Sequence, residues 1–295
     1  MTALPWQQAW SEALYGPDGF FLREVPGQHF RTNVANPQFP QAVRRIADRL
    51  DDVLGHPDPF DVIDVGAGRG ELLTALGVVP SRWRLTGVDH AQADVPFAWS
   101  ADIPVLTGLL IANEWLDSIP LQVLDDGREV LVDDQGTESM GASVTSDWAA
   151  RWWPDGDRVE VGASRDTAWQ LAVGRIERGL AVAIDYGHLR ASRRPTLTGY
   201  AHGRQVLPVP DGSRDLTAHV ALDSCAAATG ARLLWQHEAL RAVGLSASLP
   251  DASDRSYPLL LEAASQAREL LDPLGLGGFG WLVQEVGLPA GWMPW

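Results

Sequence analysis

Lysine is absent from this sequence, and all 23 basic residues are arginine. The 38 acidic residues outnumber them and give a formal net charge of −15 at pH 7. Because affinity for nucleic acid rests largely on basic side chains that neutralise phosphates, we expect no nucleic-acid partner. The negative charge fits a protein with a cationic ligand or target, and it fits solubility alone equally well.

Cysteine is almost absent. Cys225 is the single one and stands in an alanine-rich run. An intramolecular disulfide and a cysteine-rich metal site are therefore excluded, and a buried structural thiol is expected. The spacing of histidines and carboxylates does not indicate a zinc site either, so no metal is predicted.

Long apolar runs are missing as well. No stretch reaches the ~18 apolar residues that a membrane span needs. The N-terminal sequence MTALPWQQAW lacks the basic start and apolar run of a signal peptide. We expect a cytoplasmic protein without a membrane partner.

Apolar runs of strand length alternate with helical patterns along the middle of the chain. Such alternation predicts crossover connections and a parallel sheet. Residues 1–57 are predicted as a helical lead-in, with an amphipathic helix that runs from Phe39 toward Gly55. The predicted core strands are residues 60–65, 84–88, 109–112 and 180–184.

Residues 121–162 interrupt this alternation. Two short apolar runs flank Asp125-Asp126-Gly127-Arg128, which is a typical hairpin turn, and a tryptophan-rich stretch follows. We interpret its tryptophans as core or subunit contacts rather than a cation cage. The predicted core is therefore 58–120 and 163–295, with 121–162 as an insertion. Further predicted elements are a helix that ends at Gly179, helices near 215–229 and 253–271, and strands near 231–236 and 279–285.

A glycine-rich turn, Asp64-Val65-Gly66-Ala67-Gly68-Arg69-Gly70, joins the first core strand to a helix. Glycine lets a ligand approach the backbone closely. A dinucleotide-binding turn would carry a further glycine where this chain has Glu71, and a carboxylate there repels a pyrophosphate. S-adenosylmethionine has no phosphate and carries an ammonium and a sulfonium, so it fits this turn better. A ligand-free turn and a nicotinamide enzyme remain alternatives.

Asp89 ends the next predicted strand, where an acidic side chain accepts hydrogen bonds from ribose hydroxyls and excludes a 2′-phosphate. Asn113, Glu114 and Asp117 follow another strand, at the sheet edge where ligands bind. If a short helix begins at Trp115, the two carboxylates share a face and hold a guanidinium or an amine. The alternative is a helix capped by Asn113 with acidic first-turn residues, and spacing alone leaves both open.

Four motifs occur in order along the chain: residues 64–72 (DVGAGRGEL), 112–120 (ANEWLDSIP), 184–188 (IDYGH) and 215–220 (DLTAHV). Together they resemble the MidA-like family of class I S-adenosylmethionine methyltransferases. That family includes mitochondrial complex I assembly factors that methylate an arginine in a partner protein. The resemblance covers roughly residues 12–245. It implies an α/β, Rossmann-like fold with a seven-stranded, mostly parallel sheet and helices on both faces, plus an accessory subdomain.

The early loop departs from the family pattern G-D-F-x-T-x-P-E. Residues 27–34 are GQHFRTNV, so only Gly27, Phe30 and Thr32 carry over. We therefore do not assign the mitochondrial substrate to this chain.

The predicted activity is N-methylation of a protein arginine or a similar amine by in-line transfer from S-adenosylmethionine. A non-catalytic cofactor-binding assembly factor and a small-molecule methyltransferase are the alternatives. Lone histidines are often structural, so His188 and His219 are also open to that interpretation. The candidate catalytic residues are Glu114, Asn113 and Asp117. The candidate substrate contacts are Trp115, Tyr186, His188 and His219. The candidate cofactor-binding residues are Thr32, Asp64, Gly66, Ala67, Gly68, Gly70, Asp89, Asp102 and Asn113.

Overall fold

The structure is a computed structural model that describes residues 3–23, 32–249, 251 and 255–293. None of the helices in these ranges has the length and apolar character needed to cross a membrane. The strands are β1 (Leu4–Pro5), β2 (Phe60–Val65), β3 (Trp83–Val88), β4 (Ala98–Ser100), β5 (Leu106–Asn113), β6 (Gln122–Asp125), β7 (Arg128–Val132), β8 (Glu138–Ser143), β9 (Arg158–Val161), β10 (Ile176–Asp185), β11 (Gly187–His188), β12 (Thr198–Ala201), β13 (Arg204–Val206), β14 (Asp215–Thr217), β15 (Val220–Ala221), β16 (Arg232–Trp235) and β17 (Gly280–Val286). The helices are α1 (Trp6–Tyr15), α2 (Phe20–Arg23), α3 (Gln38–Leu54), α4 (Glu71–Ala75), α5 (Asp147–Trp152), α6 (Ala163–Val173), α7 (Leu222–Thr229), α8 (Gln236–Ala242) and α9 (Tyr257–Leu271), with short 3-10 helices at Asn33–Ala35, Arg190–Ser192 and Leu276–Gly278.

A mixed sheet of seven strands forms the centre of the fold, in the order β16-β17-β10-β5-β2-β3-β4. β17 runs antiparallel to both of its neighbours, and the other adjacent strands are parallel. The four predicted core strands are confirmed as β2, β3, β5 and β10. They lie side by side, which brings their carboxyl ends to one edge of the sheet.

Helices cover both faces of this sheet. Leu109 and Ile111 of β5 pack in one core cluster with α3 and α8, while Leu110 and Ala112 pack on the opposite face with α6 and α7. Alternate residues of a strand point to opposite faces, so a continuous apolar run serves two cores at once. The predicted helix toward Gly55 is confirmed as α3, and Gly55 ends it in the left-handed conformation with φ 80°.

A second sheet, in the order β1-β7-β6-β9 with β8 paired to β7, lies apart from the first. Asp126 and Gly127 turn between β6 and β7 with φ 48° and 69°, which confirms the predicted hairpin. α1 packs its tryptophans against this sheet, so the start of the chain and the hairpin share one apolar cluster. The division of the chain at residues 57, 120 and 162 stays a prediction.

The side chain of Arg193 lies among the rings of the tryptophan-rich stretch. Its guanidinium lies 5.4, 6.0 and 5.9 Å from the ring centroids of Trp148, Trp152 and Trp153. The same guanidinium forms an ion pair with Asp223 of α7. These tryptophans therefore pack around a cation of the protein itself.

Two predicted helices were partly wrong. α6 ends at Val173, and Ile176 instead begins β10, where it pairs with Leu106 of β5. The predicted helix near 215–229 begins only at Leu222, because Asp215–Thr217 forms β14 and pairs with β12. In both places pairing with a distant strand overrides the local helical pattern.

Candidate active site

A cavity of about 950 Å³ opens at the carboxyl edge of the central sheet. Asp64 at the end of β2, Asp89 just after β3 and Asn113 at the end of β5 line it together. Tyr15 of α1 and Leu171 of α6 line its other side. This is the place where open α/β sheets bind ligands.

The glycine turn forms one wall of the cavity. Gly66, Gly68 and Gly70 have φ values of 74°, 60° and 81°, a region that favours glycine. A Cβ on Gly66 would stand 3.1 Å from the Cβ of Trp115, so a side chain there would have to displace Trp115 by a few tenths of an ångström. Gly70 does not line the cavity. It is the N-cap residue that precedes α4, and a Cβ there would stand 2.8 Å from the ring of Phe97.

Asp89 is held by the backbone on both oxygens. Oδ2 accepts the N–H of Gly68 at 2.9 Å, and Oδ1 accepts the N–H of Ala91 at 3.2 Å. A carboxylate has about four acceptor positions, so each oxygen keeps a lone pair for a ligand hydroxyl. The glycine turn and Asp89 therefore form one preformed unit.

The cavity is strongly acidic. Seven carboxyl side chains line it, against the guanidinium groups of Arg69 and Arg175. Burial raises the pKa of Asp64 well above its ordinary value, and the charges of Asp89 and Glu71 raise it further. Such a lining favours a cationic ligand. The seven carboxyl residues are Asp64, Glu71, Asp89, Asp102, Glu114, Asp117 and Asp215.

Glu114 is one of the acidic residues that line the cavity, and its backbone has a left-handed φ of 54°. Its Oε1 accepts the backbone N–H of Asn33 at 3.0 Å and the Asn113 Nδ2 at 2.9 Å. Burial raises the pKa of Glu114 to about 7; the two hydrogen bonds oppose that rise, and the charge of Asp117 adds to it. A carboxyl group that titrates near neutrality suits proton transfer.

The predicted helix from Trp115 is wrong, and so is the alternative that Asn113 caps it. Residues 114–120 form a turn, and Asp185 of β10 accepts the N–H of Leu116 at 2.9 Å and that of Asp117 at 3.1 Å. Asn113 belongs to β5, and its side chain faces Asn33 and Glu114. The turn nevertheless brings Asn113, Glu114 and Asp117 to the same cavity.

The oxygens of Asp117 are occupied by the protein. Oδ2 accepts the Tyr186 hydroxyl, and Oδ1 accepts the Ser118 hydroxyl at 3.1 Å. The backbone carbonyl of Asp117 accepts Arg165 Nη2 at 2.5 Å. Arg165 is 1% exposed and also donates to three further carbonyl groups, so it holds this turn in place.

Asp215 is a site residue that the sequence did not reveal, because it stands at the start of the predicted helix near 215–229. It is 1% exposed, it lines the cavity, and its Oδ1 has no hydrogen-bond partner among the described residues. Burial raises the pKa of Asp215 well above its ordinary value, and the charges of Asp117 and Glu114 raise it further. The signal was the DLTAHV motif itself, whose acidic first residue precedes an alanine-rich helix and so imitates a cap.

Three of the candidate substrate contacts lie behind the turn rather than along the cavity. Tyr186 packs edge-on against His219, with ring centroids 5.2 Å apart. His188 packs edge-on against Trp153 at 5.4 Å, and its ring nitrogens are buried without partners among the described residues. Burial lowers the pKa of His188 to about 4, which keeps its ring neutral. Trp115 does line the cavity, and the substrate roles of all four stay predictions.

Some of the remaining candidate residues line the cavity, and others do not. Gly27 and Phe30 of the early loop lie outside the described residues. Whether each residue binds a ligand stays a prediction. The candidate cofactor-binding residues that line the cavity are Thr32, Asp64, Gly66, Ala67, Gly68, Asp89, Asp102 and Asn113.

Residues 82–237, more than half of the chain, match the family model described as "Putative S-adenosyl-L-methionine-dependent methyltransferase". None of the curated proteins compared with the chain matches it.

Two solved structures resemble the whole chain. One is described as a "likely methyl transferase from Burkholderia thailandensis bound to S-adenosyl-homocysteine"; it is 24% identical, with 98% of this chain and 89% of that one covered and a TM-score of 0.77. A native crystal structure of an uncharacterized protein from the same organism is also 24% identical, with 98% and 88% covered and a TM-score of 0.75. These likenesses establish an α/β fold of the class I methyltransferase type.

Proposed function

The chain belongs to the family of S-adenosyl-L-methionine-dependent methyltransferases, and we propose that it methylates a guanidinium or amine nitrogen held by Glu114. The family match confirms the resemblance to MidA-like methyltransferases and the predicted cofactor. The kind of acceptor and the catalytic roles are our proposal. They are supported by the arrangement of carboxyl groups at one end of the cavity.

The cavity fits the cofactor. An acidic lining suits its ammonium and sulfonium, and the Asp89 carboxylate keeps lone pairs for its ribose hydroxyls. We propose that the Gly66–Gly68 backbone, Asp89 and Asp102 hold it. The similar Burkholderia protein is described as bound to S-adenosyl-homocysteine, which supports this proposal. When bound, S-adenosylmethionine supplies the methyl group.

Glu114 is the residue proposed to hold the acceptor nitrogen. Its Oε1 already accepts two N–H groups, while no described residue donates to Oε2. We propose that Oε2 accepts an N–H of the acceptor, orients it toward the cofactor, and takes up its proton. A group positioned in this way contributes typically 10²–10⁴-fold to a rate.

The buried carboxyl group of Asp215 favours a cationic acceptor. A buried carboxyl oxygen without a donor is costly, and a bound cation with N–H groups removes that cost. Asp117 is occupied by Tyr186 and Ser118, so we propose that it adds charge rather than direct contacts. A planar guanidinium matches two separate carboxylates better than a compact ammonium does.

The acceptor class is testable with S-adenosylmethionine that carries a tritiated methyl group. The enzyme is incubated with a bacterial cell extract, and protein and small-molecule fractions are separated. We expect label in protein, released on acid hydrolysis as methylated arginine or lysine, and suppressed by excess S-adenosyl-homocysteine. Label in neutral small molecules alone, or on oxygen, contradicts the proposed acceptor.

A further inference from the structure

A chain of buried hydrogen bonds leads from Trp281, on strand β17, to Glu114. The Trp281 Nε1 donates to Gln236 Oε1 at 3.1 Å, and Gln236 Nε2 donates to Asn33 Oδ1 at 2.8 Å. Asn33 Nδ2 donates to Asn113 Oδ1 at 2.8 Å, and Asn113 Nδ2 donates to Glu114 Oε1 at 2.9 Å. Trp281, Gln236 and Asn33 are each 0% exposed, so water does not compete for these bonds.

The direction of this chain is fixed by chemistry. An indole N–H only donates, and an ionised carboxylate only accepts. A side-chain amide carries a donor at one end and an acceptor at the other, so each of the three amides has one orientation that satisfies both neighbours. The indole of Trp281 at one end and the carboxylate of Glu114 at the other therefore set which way the amides of Gln236, Asn33 and Asn113 point.

Apart from its hydrogen bonds, the surroundings of Glu114 disfavour an ionised carboxylate. The titratable groups that face its carboxyl are Asp117 from the same turn, Asp185 from β10 and Asp215 from β14, and all three are acidic. Only the hydrogen bonds from Asn33 and Asn113 favour its ionised form. Both reach the same oxygen, Oε1.

We infer that Trp281, Gln236 and Asn33 are positioning residues, whose directed hydrogen bonds keep Oε1 of Glu114 as the protein-facing acceptor and leave Oε2 for the methyl acceptor. This inference rests on the proposed role of Glu114. Without the indole N–H, only the Glu114 carboxylate opposes rotation of the amides and inversion of the chain. An inverted chain turns the Asn113 carbonyl toward Glu114, which disfavours the ionised carboxylate.

The test is a titration of the Glu114 carboxyl by ¹³C NMR in protein labelled with [5-¹³C]glutamate. Its resonance is identified by its loss in Glu114→Gln. Trp281→Phe keeps an aromatic side chain but lacks the N–H donor, and we expect the pKa of Glu114 to rise by about one unit. Gln236→Met removes the next link and is expected to give a rise of at least the same size.

Trp169→Phe is the matched control. Trp169 is also 0% exposed, and its Nε1 donates to Thr229 Oγ1 at 3.1 Å, outside this chain of bonds. We expect its Glu114 titration to equal that of the wild type. An unchanged titration in a folded Trp281→Phe or Gln236→Met protein, or an equal shift in Trp169→Phe, overturns the inference.

The titration needs neither cofactor nor methyl acceptor. If Glu114→Gln turned over normally, the proposed catalytic role of Glu114 would be refuted, but the measured effect of Trp281 on the pKa of Glu114 would still hold. Conversely, an unchanged titration would refute the positioning residues and leave the methyl transfer itself unaffected.

Discussion

The backbone N–H of Gly68 donates to the carboxylate of Asp89 at 2.9 Å, so the turn after β2 and the acidic residue after β3 hold each other. Two features that are weak signals alone thus become one binding wall. Their mutual hydrogen bond exists before any ligand arrives. Pre-organisation of this kind reduces the ordering cost of binding.

Replacement of Asp89 should therefore weaken cofactor binding in two ways. The ribose hydroxyls lose their carboxylate acceptor, and the glycine turn loses the hydrogen bond that holds it. For Asp89→Ala we expect the Kd for S-adenosyl-homocysteine to rise by roughly 10- to 100-fold, the equivalent of one or two charged hydrogen bonds. Calorimetric titration measures it. Asp94→Ala, an exposed aspartate outside the cavity, is the control and should bind like the wild type. Equal affinities in the two variants would refute the role of Asp89.

Gly66 and Gly55 offer a matched pair. Both have a left-handed φ, 74° and 80°, but a Cβ on Gly66 meets Trp115 while one on Gly55 meets nothing within 4 Å. Each Ala substitution should cost ~1–2 kcal/mol of unfolding free energy from the backbone conformation. Only Gly66→Ala should lose further stability and affinity for S-adenosyl-homocysteine. Urea denaturation measures the stability and calorimetry the affinity. Equal losses of both in Gly66→Ala and Gly55→Ala would contradict this prediction.

The pKa of Glu114 predicts a pH dependence of stability. Its folded-state value of about 7 lies above the ordinary 4.5, so between these values the folded protein binds more protons than the unfolded chain. The free energy of unfolding should therefore fall as pH rises from about 4.5 to 7, by an amount on the order of 3 kcal/mol at most for this group. Denaturation at pH 5 and 7.5 should show a smaller fall in Glu114→Gln, and identical falls in both proteins would contradict the assignment.

Arg193 is predicted to stabilise the tryptophan-rich region without serving the reaction. Its side chain is 2% exposed and pairs with Asp223, so Arg193→Met removes one partner of a largely buried pair. We expect a loss of roughly 3 kcal/mol in unfolding free energy. Arg194→Met, at the exposed neighbouring position, should change stability little. Cofactor affinity of the folded Arg193→Met protein should stay at the wild-type value, and a lost affinity would link this region to the site.

The sequence was most informative where local pattern and buried environment agree. β2, β3, β5 and β10 are buried parallel strands, so their apolar runs identify them directly. Glycine spacing and Asp89 likewise located the cavity wall, since each follows the end of such a strand.

Features that depend on distant partners were not predicted. The turn after Glu114 is held by Asp185 of β10, a residue distant in sequence that accepts the N–H groups of Leu116 and Asp117. Asp215 enters a strand only because β12 pairs with it. The bonds from Trp281 to Glu114 join residues from opposite ends of the chain, and no periodicity or spacing connects them.

The most direct test compares methyl transfer and cofactor binding in Glu114→Gln. We predict that transfer of a tritiated methyl group falls by at least about 100-fold, while the Kd for S-adenosyl-homocysteine changes by less than about threefold. Glu177→Gln, at an exposed position outside the cavity, should match the wild type in both measurements. Normal transfer by Glu114→Gln, or a loss of transfer explained by an equal loss of cofactor affinity, would contradict the proposed role of this carboxyl group.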